Sequence, residues 1–198
     1  MPGDAHIQDG PARTLGYETS KLGIWVFLLT EALLFGGLFM TYTVYRIKYP
    51  ELFYDGHLEL NRVFGTLNTV VLICSSLSVA AGIAAIKRGN VKLLKHCLGV
   101  TVLLGGVFMT VKYFEWAEDF ARGLNPGTDI FFSLYFMMVG VHGLHVLAGM
   151  GVLSAILFLA GRGKFTAGYY TPVEVAGVYW HFVDLVWIYL YPMFYLIG

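Results

Sequence analysis

Three pairs of ionisable residues recur in this sequence at a spacing of three. They are E-x-x-E at Glu115 and Glu118, H-x-x-H at His142 and His145, and H-x-x-D at His181 and Asp184. Residues i and i+3 share one face of a helix, so each pair could present two metal ligands or two proton-transfer groups together. A further acid, Glu31, stands alone inside the apolar stretch GIWVFLLTEALLFGGLF, residues 23–39. Carboxylates and histidines that face one another across a helical bundle are how di-iron centres are built. Proton movement through a buried carboxyl or imidazole is the second chemistry these residue types could support.

The elements that must position these groups follow from composition. Of 198 residues, 57% are hydrophobic and 13% are charged, and mean hydropathy is +0.66. A soluble domain would carry about a quarter charged residues, so the excess points to a membrane protein. Five apolar runs, 22–45, 63–86, 97–116, 130–160 and 175–197, reach the roughly 20 helical residues that a hydrocarbon core requires. The expected fold is therefore all-α, a polytopic bundle of five transmembrane helices over residues 22–198, preceded by a polar segment, 1–21, in which no cleavable signal is expected. The fourth run is too long for an upright span and must tilt or project from the bilayer.

Lys and Arg set direction. Eight lie in the N-terminal segment and in the loops 87–96 and 161–174, against five on the other side, which predicts a cytoplasmic N-terminus and an outer C-terminus. Formal net charge is zero, so the basic footprint of a nucleic-acid binder is absent. Cys74 and Cys97 form no C-x-x-C pattern, and no phosphate loop, zinc-protease, serine-hydrolase or c-type haem motif occurs.

Depth along the spans tests the chemistry. Glu31 lies about 14 Å into the first span, where a charged carboxylate costs about 2.5–3.5 kcal/mol on lenient scales. It reads either as a proton-handling or gating carboxyl or as a structural acid bonded to a neighbouring helix. His142, His145, His181 and Asp184 fall at about the same level in the inner half of the bilayer. Glu115 and Glu118 fall at the outer end of the third span and cannot join them. Two pairs plus Glu31 lack the Glu-x-x-His repeat of a di-iron bundle, so no metal is expected. The favoured reading is an interhelical polar network of His142, His145, His181, Asp184 and Asn68. Trp180 and Trp187, seven apart, share a helix face; with Trp25 they are expected to contact lipid or a partner.

Five segments then carry a family resemblance: LLTEALLFGGLF (28–39), TLNTVVLICSS (66–76), KYFEWAEDF (112–120), GVHGLHVLAG (140–149) and VYWHFVDLVWIYLY (178–191). In this order they resemble subunit III of the haem-copper terminal oxidases, of cytochrome c and quinol types alike, in its shorter five-helix bacterial form. The resemblance implies a non-catalytic subunit that packs against subunit I, with subunit II and a small helical subunit in the same complex. It implies bound phospholipid, support of proton uptake and sustained turnover, and haem and copper held by partner subunits only. It also implies a place in the bacterial cytoplasmic membrane. Glu31 matches the family's carbodiimide-reactive carboxyl, Glu115 and Glu118 its paired acids, His142 and His145 its G-x-H-G-x-H motif, and Trp180, His181 and Asp184 its W-H-F-x-D motif. None becomes catalytic by that match. A stand-alone membrane metalloenzyme, a proton-coupled transporter and an accessory subunit of nitric oxide reductases are the alternatives.

Overall fold

The computed structural model describes residues 11–197. The expected polar segment 1–21 lies outside the described residues as far as residue 10, and from Pro11 onward the chain is already helical. Six α-helices follow one another: α1 (Pro11–Lys48), α2 (Pro50–Glu59), α3 (Arg62–Lys87), α4 (Val91–Ala121), α5 (Ile130–Gly161) and α6 (Thr171–Tyr191). A π turn, Pro192–Leu196, follows α6. Among the described residues the only extended pairing is an isolated bridge between Thr166 and Tyr169. Among the described residues five helical stretches are long and apolar enough to cross a membrane: Lys21–Lys48, Arg62–Lys87, Val91–Ala121, Ile130–Gly161 and Thr171–Leu196.

The sequence punctuates these helices plainly. Asn61, Asn90 and Asp129 cap the N-termini of α3, α4 and α5, accepting from the amides of Val63, Leu93 and Phe132 at 3.0, 3.0 and 2.9 Å. Each of the same three helices ends in an Arg-Gly pair. Gly89, Gly123 and Gly163 take φ of 77°, 84° and 72°, the left-handed conformation that a side chain resists. Their amides and those of the next residues fold back onto the last helical carbonyls, for instance Gly89 to Ile86 at 2.9 Å and Asn90 to Ala85 at 2.9 Å. This is the Schellman closure, and it lets α3 turn into α4 within three residues.

Two elements differ from the expectation. The third span is longer than 97–116 by a turn or more at each end, because KLLKH and AEDFA stay helical beyond the apolar run. Helix α2 was not expected at all. Its PELFYDGHLE sequence is too polar and short to register as a span, yet Pro50 opens it in the first turn, where a missing N–H is harmless. Its Phe53 packs edge-on to Phe131 at 5.5 Å and to Tyr42 at 5.1 Å.

The core lies among α3, α4, α5 and α6. In lipid, helices gain little from hydrophobic exclusion and hold together by close packing and interhelical hydrogen bonds. Trp180 illustrates the first. A β-carbon at Gly105 on α4 or Gly149 on α5 would sit 3.0 or 2.9 Å from its ring, so the two glycines open the slot that the indole fills. Trp180 and Trp187 are both fully buried, which corrects their expected outward role. Their indole N–H groups donate to Ser75 Oγ at 3.1 Å and Thr69 Oγ1 at 3.0 Å, tying α6 to α3. Trp25, 64% exposed, does face outward. Pro192 supplies no amide to continue α6; the wider π turn that follows buries the consecutive residues Phe194 and Tyr195. Helix α1 is peripheral. Leu22, Leu29, Leu33 and Met40 are each more than 60% exposed, and the Tyr42 hydroxyl donates to the Met193 carbonyl.

Candidate functional site

The polar residues gather at two centres. The first joins α1, α5 and α6. His145 Nε2 lies 2.8 Å from Glu31 Oε2, with the two side chains 19% and 16% exposed. The other ring nitrogen, Nδ1, lies 2.8 Å from the Val141 carbonyl. A carbonyl only accepts, so Nδ1 carries a hydrogen. The Nε2–Oε2 contact then holds one further proton, on the imidazole or on the acid, and the pair is neutral overall in both cases. Tyr179 OH on α6 donates to the His145 carbonyl at 3.2 Å, and the Phe35 ring meets the imidazole at 5.2 Å. The arrangement can hold a proton and pass it between two adjacent atoms at a face partly open to the bilayer.

The second centre joins α4, α5 and the π turn. Lys112 is 5% exposed and Glu115 1%, and Lys112 Nζ donates to Glu115 Oε2 at 2.8 Å. Nζ also donates to the Tyr195 hydroxyl at 2.5 Å. Tyr195 OH in turn donates to Glu115 Oε1 at 2.5 Å, and Tyr135 OH reaches the same oxygen at 3.2 Å. The ammonium lies 4.8 Å from the Trp187 ring centroid, within cation–π range. The charges cancel in an almost fully buried site, and the carboxylate receives three donors.

The sequence reading missed Lys112 and Tyr195 here. The signal was present: Lys112 stands within VFMTVKYFEW, and it precedes Glu115 by the helical spacing of three. The expected pair Glu115 and Glu118 does not form, because Glu118 is exposed while Asp119 is buried. Four residues separate Glu115 from Asp119, and this keeps them on one face. Asp119 Oδ1 accepts from Arg122 Nη2 at 2.6 Å, and Arg122 Nη1 also donates to the Glu59 carbonyl at 3.0 Å, closing α2 onto α4.

The expected single network of His142, His145, His181, Asp184 and Asn68 does not assemble either. His145 goes to Glu31. His142, fully buried, stacks on Trp187 at 5.4 Å and meets Phe108 edge-on at 5.6 Å, and neither of its ring nitrogens has a hydrogen-bond partner among the described residues. His181 Nδ1 lies 2.6 Å from Ser76 Oγ. Asn68 is fully buried, with no partner for its side-chain polar atoms among the described residues, and Asp184 is 4% exposed, with the Ser76 hydroxyl beside it. Three residues of helix advance about 300°, and that leaves two i, i+3 side chains about 60° apart. In α5 the offset is enough to send His142 inward and His145 toward α1. Among the described residues no three of His, Cys, Asp and Glu converge as a metal would need.

Fold and site define a polytopic helical membrane protein whose ionisable groups are tied between helices. Comparison with known proteins gives the class a family. The model of "Cytochrome c oxidase subunit III" matches residues 9–198. Cytochrome c oxidase subunit 3 of Thermostichus vulcanus is 34% identical over 177 residues, covering 89% of this chain and 86% of the relative. The probable quinol oxidase subunit 3 of Staphylococcus epidermidis is 31% identical, covering all of this chain and 98% of the relative. The cytochrome bo(3) ubiquinol oxidase subunit 3 of Pseudomonas putida is 30% identical over 91% of this chain and 87% of its own length. The chain belongs to the cytochrome c oxidase subunit III family, the third subunits of haem-copper oxidase complexes.

Proposed function

We propose that this chain is a non-catalytic subunit of an oxygen-reducing, proton-translocating terminal oxidase in a bacterial cytoplasmic membrane. It packs directly against the haem-bearing subunit I and supports proton uptake and sustained turnover. The observation that carries this reading is the family match across residues 9–198. The polar groups fit it: Glu31 with His145, and Lys112 and Glu115 with Tyr135 and Tyr195, tie helices to one another. The cytochrome c type is favoured, in line with the family description and with the cytochrome c oxidase named in Thermostichus vulcanus. The loop 87–95, KRGNVKLLK, supports a cytoplasmic N-terminus and an outer C-terminus under the positive-inside rule.

Phospholipid is the proposed ligand of the α1 side. A groove of about 170 Å³ between α1 and α6, lined by Ala32, Phe35, Gly36, Phe39, Phe182 and Tyr189 among others, is apolar enough for an acyl chain. The exposed flank of α1, Trp25 included, widens that surface. The test is to isolate the tagged chain in mild detergent and read the preparation by optical spectrum, mass spectrometry and lipid analysis. Haem, a large multi-span subunit and stoichiometric phospholipid are the expected companions. A colourless chain that carries its own metal would refute the reading.

A further inference from the structure

Helix α2 roofs one end of the bundle. Phe53 is seated between Tyr42 of α1 and Phe131 of α5, and a β-carbon at Gly56 would run into the same Phe131 ring. Two cationic side chains clip the carboxy-terminal end of α2 to its neighbours. From α4, Arg122 Nη1 donates to the Glu59 carbonyl at 3.0 Å. From the first residue of α3, Arg62 Nη2 donates to His57 Nε2 at 3.1 Å, across the corner that joins the two helices. The first acceptor is a backbone oxygen, which does not titrate. The second is a base.

The geometry fixes the state of that base. His57 is 4% exposed, and its Nδ1 meets the Tyr54 carbonyl. A carbonyl only accepts and a guanidinium only donates, so Nδ1 carries the hydrogen and Nε2 the lone pair. The imidazole is therefore neutral whenever the clip is closed. A second proton has one place to go, Nε2, where it would aim an N–H at the N–H of a permanent cation. The hydrogen bond then loses its acceptor, and two positive charges stand at contact distance. Arg62 is exposed and can swing into solvent.

Other charges gather at this end. Helix α2 itself carries Glu51, Asp55 and Glu59, and the Glu59 carboxylate lies 3.5 Å from Arg122. The elements packed against α2 bring Arg46, Lys48, Tyr42 and Tyr45 from α1, the cap Asp129 from α5, and Tyr195 from the π turn. Among the described residues none of these is a hydrogen-bond or ion-pair partner of the His57 ring or of the Arg62 guanidinium. No carboxylate is paired with the imidazole to hold it in place once it is charged.

We infer that His57 and Arg62 form a pH-sensitive clasp between α2 and α3, closed while the imidazole is neutral and opened when it takes a second proton. Phe53 and the Arg122–Glu59 contact keep α2 on the bundle as the corner loosens. With the N-terminus in the cytoplasm this end faces outside, where a proton-translocating oxidase discharges protons. That physiological sense rests on the oxidase-subunit reading above; the clasp itself does not.

The test is hydrogen–deuterium exchange of the purified complex between about pH 8 and pH 5, the interval in which imidazole titrates. Rates are corrected for the intrinsic pH dependence of amide exchange and read by mass spectrometry on peptides spanning residues 54–64. In the wild-type chain, protection is expected to fall by about twofold to tenfold toward the acid end, the range that one hydrogen bond supports. His57→Gln, whose amide oxygen accepts from Arg62 and does not titrate, should keep its protection throughout. Arg62→Met, which removes the donor, should be equally low at both ends. A wild-type profile that does not change with pH overturns the inference. An acid loss of the wild-type size in His57→Gln or Arg62→Met also overturns it, because the titrating contact would then lie elsewhere. Haem in the same preparation reads the subunit assignment separately: its absence overturns that assignment and the outward sense of the clasp, while the exchange profiles still decide the clasp.

Discussion

Replacement of Glu115 by leucine is expected to strand Lys112. In the wild-type chain the ammonium is 5% exposed and has two partners, Glu115 Oε2 at 2.8 Å and the Tyr195 hydroxyl at 2.5 Å. Without the carboxylate, a buried cation keeps one neutral oxygen and the ring faces of Trp187 and Tyr195. Breaking one side of a buried ion pair costs about 3–5 kcal/mol. In a chain of this size each kcal/mol moves the melting point by about 2–4 °C, so a fall of about 6–20 °C follows. Lys112→Met should cost less, because Tyr195 and Tyr135 still donate to Glu115 Oε1. The double variant Lys112→Met/Glu115→Leu removes both charges. It leaves the tyrosine hydroxyls 3.1 Å apart to bond each other, so it should return to within about 1–2 kcal/mol of wild type. The assay is thermal unfolding in mild detergent, followed by the emission of the buried Trp180 and Trp187. Additive losses in the double variant would refute the argument, since they would mean that the two charges do not compensate each other.

Three further outcomes are expected. A hydrophobic carbodiimide should modify Glu31, 16% exposed at the α1–α5 face, and spare Glu115, 1% exposed; peptide mass spectrometry that finds Glu115 modified first would contradict the burial of the second centre. Gly149→Ala should cost about 1–3 kcal/mol by overpacking, because the new β-carbon meets the Trp180 ring at 2.9 Å, whereas Gly151→Ala, with open space, should melt like wild type. Gly89→Ala should cost about 1–2 kcal/mol through its φ of 77°, and unchanged melting would show that the α3–α4 turn relaxes freely.

What the sequence discloses depends on whether a signal is periodic or pairwise. The spans were legible because roughly 20 apolar residues in a row match the thickness of a hydrocarbon core and seldom occur outside one. Membership of the family was legible because five motifs fall in order. Helix α2 was not, since its amphipathic ten residues carry no hydropathy peak, and tertiary contacts give it a place: Phe53 seated between Tyr42 and Phe131, and the Glu59 carbonyl held by Arg122. At the site, Glu31 and His145 were both singled out, but their contact across 114 positions is a tertiary fact. Depth reckoned from span ends put them at one level and could not give rotation. Rotation is what separates His142 from His145 and buries Trp180 and Trp187. For Glu115 the nearer carboxylate, Glu118, drew attention away from the cation three residues before it. Inside a membrane the opposite charge is the better partner to seek, because two like charges sharing a buried face repel.

The two polar centres divide the work between them. Both use α5, through His145 at one and Tyr135 at the other, and each links it to two further elements. The Lys112–Glu115 centre is almost fully buried, Lys112 5% and Glu115 1% exposed, and its charges already cancel. Removing or adding a proton there would leave a buried charge without its counter-charge, so its contribution is to fix α4 and the π turn against α5. The Glu31–His145 centre differs in two respects: it is partly open, and its one bridging proton can rest on either partner without changing net charge. Of the two, it alone combines access with an exchangeable proton. It also joins peripheral α1 to the bundle, as the Tyr42–Met193 bond does further along the helix. A change in protonation of that pair would therefore be felt as a change in how α1 docks, and α1 is the helix with the broad exposed apolar flank of Leu22, Leu29, Leu33 and Met40. Proton occupancy and α1 docking are thus coupled at one bond, and Glu31→Gln and Glu31→Ala separate them. The amide can still donate to His145 Nε2 and hold α1, whereas alanine releases it.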